Sequence, residues 1–169
     1  MRENLIARIA YYHSVGRPNF NQYAGGFTLP DTSNPPSSGN RITLNNAGNN
    51  FSSVNITSAN VATLQDTNNL VLGTSSATTL NVTTAGNITQ SGAITTTGDA
   101  TFTVGSGTGI DLSTSTNSFG GVLTFGASSG SLSFLGLNTN TDIDLSALTL
   151  SGNLTAITSA GNITQTGAL

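Results

Sequence analysis

The chain has 169 residues, enough for one domain of ordinary size. Only 7% are charged, the net charge is −3, and lysine, cysteine and tryptophan are absent. That excludes a helical protein, whose surfaces need Glu, Lys, Arg and Gln, and a nucleic-acid binder, which needs a basic stripe. The 36% apolar content is too high for a plainly disordered chain, and no run approaches the roughly 18 apolar residues of a membrane-spanning helix.

All four prolines, all three tyrosines and the only histidine precede residue 40, and all four arginines lie at or before Arg41. The composition therefore divides the chain into a segment 1–40 and a segment 41–169. The first opens with a predicted short helix over 3–13, with Leu5, Ile6, Ile9 and Ala10 on one face. Gly16 and Pro18 end it. Glu3 and Arg8 interrupt any apolar core of a signal peptide there. TLPDTSNPPSSGN reads as a loop, because Pro-Pro cannot donate ladder hydrogen bonds.

From residue 41 the text becomes short alternating strands between turn residues. The predicted cores are 41–44, 53–57, 61–64, 70–72, 79–83, 87–90, 93–96, 101–104, 109–112, 122–125, 131–134, 142–145, 147–150, 153–157 and 162–165. Apolar residues sit two apart, as in Ile42/Leu44, Leu80/Val82, Phe102/Val104 and Ile110/Leu112, so one face of each strand is buried.

The text also repeats. RITLNNAGNNF (41–51) is matched by GIDLSTSTNSF (109–119), and AGNITQSGAI (85–94) returns as AGNITQTGAL (160–169). Long repeats of about 41–108 and 109–169 follow, each holding about three coils of roughly 23 residues, in the solenoid range. Stacking coils buries a continuous inner column and pairs every backbone group with the coil above or below. Evenly spaced strands also suit a β-sandwich, but sandwiches do not usually repeat their text. The fold class expected is all-β, a parallel β-helix of five or six coils on the order of 25–30 Å long, with the 3–13 helix as a cap. The two decamers are expected at one coil position, with Ile88 and Ile163 inward. No capping feature follows the second, so that coil is expected to stack on another copy head-to-tail or to mark a truncation.

ITLNNAGNNF, LQDTNNLVLG, LNVTTAGNITQSGAITTTGDATFTVG and AGNITQTGAL resemble the repeats of filamentous haemagglutinin-like exoproteins, large bacterial surface adhesins secreted by the two-partner pathway. The resemblance covers about 41–169. It implies a right-handed parallel β-helix shaft, an extracellular or cell-surface location, and a role in adhesion or biofilm. The implied partners are glycans or proteins of a host or neighbouring-cell surface or matrix. Residues 1–40 do not resemble the secretion domain of that family.

Catalytic chemistry is poorly supplied, and no catalytic, cofactor or metal residue is assigned. His13 is the only imidazole, so a Ser-His-Asp arrangement would have to recruit it. Asp142 and Asp144 fall on one side of a strand about 7 Å apart, and Asp111 has a similar GIDLS context. Carboxylate pairs at such separations serve glycosidases, which makes a β-helical polysaccharide-active enzyme the alternative reading; solubilising charge is the plainer one. GSGTGIDLS (105–113) is a single degenerate echo of the calcium-binding G-G-x-G-x-D-x-U-x nonapeptide. Six N-x-S/T sequons stand at Asn50, Asn55, Asn81, Asn87, Asn153 and Asn162. Outward threonine pairs such as Thr95/Thr97 and Thr101/Thr103 resemble ice-binding arrays, with Asn, Ser and Asp expected to interrupt them.

Overall fold

The computed structural model describes residues 27–29 and 41–169. The predicted 3–13 helix and His13 lie outside the described residues. Among those described, every regular element is a strand. In chain order they are β1 (Phe27–Leu29), β2 (Arg41–Leu44), β3 (Ser53–Asp66), β4 (Leu70–Thr84), β5 (Ile88–Gln90), β6 (Ile94–Thr96) and β7 (Ala100–Val104). They continue with β8 (Ile110–Phe119), β9 (Leu123–Ala127), β10 (Leu135–Thr139), β11 (Ile143–Leu145), β12 (Leu154–Thr158) and β13 (Ile163–Gln165). Each pairs in parallel with strands one coil away, giving a β-solenoid of about six turns. The stack includes β1, whose Phe27 is in register with Val54, so it takes in a strand from before residue 41.

Three faces carry the ladders. On the first, Leu70, Ile88, Ile110, Leu135 and Leu154 stand in one column of direct partners. On the second, Ala59, Ala77, Thr96 and Phe119 do. On the third, two inner rows run side by side: Ile42–Ala62–Leu80–Ala100–Leu123 and Leu44–Leu64–Val82–Phe102–Phe125. Period-two alternation places these side chains inward, and Leu70, Leu80, Ile88, Phe102 and Ile110 are fully buried. Removing each from water contributes roughly 1.5–3 kcal/mol. Phe102 stacks on Phe125 with centroids 5.8 Å apart, close to the strand spacing, and meets Phe119 edge-on at 6.2 Å.

Coil length is not constant. The chain advances 18 residues from Val54 to Leu72, 22 from Ile88 to Ile110 and 25 from Ile110 to Leu135. Short coils round their bends as one strand, so the predicted 53–57 and 61–64 fuse into β3, and 70–72 and 79–83 fuse into β4. The predicted strand 131–134 is corrected to β10 at Leu135–Thr139, with only Leu132 forming an isolated bridge to Leu150. Gly136 disguised that strand. It stacks on Asp111, and a Cβ there would come within 2.8 Å of the Asp111 carboxylate.

The repeated texts do not share a coil position. Ile88 belongs to the first-face column that ends at Leu154. Ile163, nine residues beyond Leu154, pairs instead with Ile143, away from that column, and is 47% exposed. Likewise Ile42 lies on the third face and Ile110 on the first. The text encodes a local device, and the solenoid uses it at different corners.

Candidate functional site

The recurring device is a polar corner. Asn49 and Asn117 occupy the same place in the matched texts 41–51 and 109–119, and both are fully buried. Each Nδ2 donates to the carbonyl of a leucine five residues back, Asn49 to Leu44 at 3.0 Å and Asn117 to Leu112 at 2.9 Å. Each also reaches the next coil, donating to Gln65 O and Asn138 O respectively. Their own carbonyls accept threonine hydroxyls of that coil, Thr67 and Thr139, both at 3.0 Å. Asn117 Oδ1 accepts from Gln90 Nε2 at 2.9 Å and from Ile94 N at 2.8 Å. Asn49 Oδ1 has no partner among the described residues. A second corner element precedes the strands: Asn69 Oδ1 accepts from Asn87 N, Asn87 Oδ1 from Gly109 N, and Asp99 Oδ1 from Val122 N. In the two decamers, Gln90 and Gln165 each donate Nε2 to the carbonyl two residues on, at 2.8 Å.

The carboxylates singled out in the sequence do not converge. Asp111 lies on the first face between Thr89 and Gly136, and its Oδ1 accepts from Ser113 N and Oγ. Asp142 and Asp144 precede and occupy β11, on another face. Asp142 Oδ1 accepts from Asn162 N at 2.8 Å, and Asp144 accepts from Thr166 Oγ1. Each thus ties its own segment or the next coil. In 105–113 the carboxylate is engaged by Ser113, and Thr108 Oγ1 donates to Gly105 O at 2.7 Å. Of the sequon asparagines, Asn50, Asn153 and Asn162 are exposed, while Asn87 is committed to the ladder just described.

One small cavity lies where the third face breaks. β9 pairs with β7, and β11 and β13 form a separate two-stranded sheet. Between them Leu123, Phe125, Leu145, Leu148, Asp144 and Ser146 enclose about 10 Å³, room for a single water.

Among the described residues Asp66 is the one buried carboxylate, and nothing in the sequence marked it. Its Oδ1 accepts from Phe51 N at 2.6 Å and Oδ2 from Asn68 N at 3.3 Å. Burial raises its pKa, against the lowering effect of backbone hydrogen bonds to Phe51, Asn68 and Thr67. The folded state therefore holds this proton more tightly than the unfolded chain. Its contribution to stability is greatest below the ordinary carboxylate pKa and falls as pH rises through the raised folded value. Asp66→Asn keeps an acceptor for Phe51 N without the charge. Urea unfolding from acid to neutral pH is expected to show a downward slope in the parent that the variant lacks. Parallel curves would remove Asp66 as the source.

A family of repeats of unknown function (DUF5649) matches at residues 19–58, 58–126 and 133–169. The chain belongs to this family. The middle match is close in length to the 68-residue spacing between the texts at 41 and 109. The unmatched residues 127–132 fall where the third face breaks, so the family's repeat boundary coincides with a discontinuity in the fold. Comparison with curated proteins gives no match, and neither does comparison with solved structures.

Proposed function

We propose that the chain is a structural shaft segment of a bacterial surface or secreted adhesin and not an enzyme. The observation that carries this is the continuous inner ladder of the first face. The Leu70-to-Leu154 column crosses five coils with its interior filled by its own side chains. Such a stack transmits force along its axis and holds what it carries at a fixed distance. The resemblance of its text to filamentous haemagglutinin-like repeats supports the adhesin setting, an extracellular location, and partners among surface or matrix glycans and proteins. The coil carrying β12 and β13 leaves Ile163 about half exposed beside an unpaired strand edge, a surface on which a second copy would stack.

The test is display of the chain on a non-adherent bacterium. Increased attachment to cells or matrix, or increased biofilm, is the expected result. Unchanged attachment, together with sugar release from polysaccharide that Asp142→Asn abolishes, would replace the shaft with the enzyme reading.

A further inference from the structure

We propose that the outward side of the third face adsorbs to ice. The sequence sets other residues among its threonines, and the register agrees: Asn81, Gln65 and Gly126 interrupt the pairs and only Thr101/Thr103 is complete, but a single row keeps four threonines over five coils. Thr43, Thr63, Asn81, Thr101 and Thr124 are consecutive partners in one row across five coils. They alternate with the buried Ile42/Leu44, Ala62/Leu64, Leu80/Val82, Ala100/Phe102 and Leu123/Phe125 pairs, so they point outward. A neighbouring row holds Gln65, Thr83, Thr103 and Gly126. Neither row contains a charge. The hydroxyls of Thr63, Thr83, Thr101, Thr103 and Thr124 have no partner among the described residues. By contrast, the corner residues Thr84, Thr96, Thr108 and Thr139 donate to backbone carbonyls.

The backbone fixes the geometry of this array. Coils repeat at about 4.8 Å and outward residues along a strand at about 6.6 Å, distances of the same order as the oxygen repeats on a prism face of hexagonal ice. Threonine is stiff at χ1, so its hydroxyl and methyl need little further ordering on contact. A neutral periodic array of donors, acceptors and methyls suits a neutral periodic lattice of water, where many weak contacts form together. The face presents no aromatic ring on which a sugar could stack, which disfavours a polysaccharide as its ligand. The first face is the poorer array: its outward row reads Val71, Thr89, Asp111, Gly136 and Thr155, with a charge at its centre and only two threonines.

Ice-affinity partition of the full chain tests this, with Thr101→Tyr in the middle of the row and Thr89→Tyr as the control on the first face. The parent and Thr89→Tyr are expected to enter the growing ice, and Thr101→Tyr to stay in the liquid with an unchanged circular dichroism spectrum. Thr124→Tyr, at an exposed position of the same row, repeats the test if Thr101→Tyr does not fold. Exclusion of the parent from ice overturns the proposal. So does uptake of a folded Thr101→Tyr or Thr124→Tyr, or retention of the parent on crystalline polysaccharide without uptake into ice.

Discussion

Replacing Phe102 with alanine is expected to destabilise the chain by about 3–5 kcal/mol, the range for truncating a buried aromatic. Phe102 is fully buried and sits in mid-row, with Val82 in the coil below and Phe125 in the coil above. In a globular core neighbours can collapse into such a void. Here the backbone ladders on both sides hold the coils at their hydrogen-bonding distance, so the void persists and the loss should fall in the upper part of the range. The stack on Phe125 and the edge contact with Phe119 add about 0.5–1.5 kcal/mol each beyond their buried area. Phe125→Ala should be milder, because Phe125 is only partly buried and already borders the water-sized cavity. Urea unfolding of both variants and of Phe102→Leu checks this. Phe102→Leu should recover most of the loss, and a Phe102→Ala effect no larger than that of Phe125→Ala would mean that the coils do close over the gap.

The inner rows were legible because alternation is a backbone property. Ile42/Leu44, Leu80/Val82, Phe102/Val104 and Ile110/Leu112 were marked as inward pairs by spacing alone, and Leu44 is the only one of the eight not fully classed as buried. Coil count and parallel stacking followed from the same pattern. Register was not legible, because coils of 18 to 25 residues slide the text against the faces. The decamers were therefore read as one position when they are one corner device at two places. The outward threonine row was legible only in part for the same reason: Thr101 and Thr103 stood out as an outward pair, but Thr63, Asn81 and Thr124 align with Thr101 only once coil lengths are known. Asp66, Asn49 and Asn117 were passed over. A signal for the last two was present, in the Leu-x-x-x-x-Asn-x-Phe wording shared by 44–51 and 112–119. It went unused because asparagine is common throughout the chain and nothing in the wording marks these two as buried.

That corner supplies the second large effect. Asn117→Ala is expected to cost about 3 kcal/mol or more, since each buried polar group left unpaired costs about 1–3 kcal/mol. The substitution strands the Ile94 N–H and Gln90 Oε1 in the coil below, and removes a donor from the carbonyls of Leu112, Ser115 and Asn138. Asn117→Asp should not rescue it. One oxygen would still accept from Ile94, but the other would face Leu112 O, Ser115 O, Asn138 O and Gln90 Oε1, all acceptors, in a buried site. Asn49→Ala provides the internal comparison. It strands Leu44 O and Gln65 O but also removes the unpartnered Oδ1, so its net cost should be about half that of Asn117→Ala. Because a solenoid opens locally, the sensitive readout is amide exchange: Ile94 should lose protection in Asn117→Ala, while amides of the first coils keep theirs. Equal costs for the two alanine variants, or an unchanged Ile94 amide, would show that the corner asparagine fills space without tying one coil to the next.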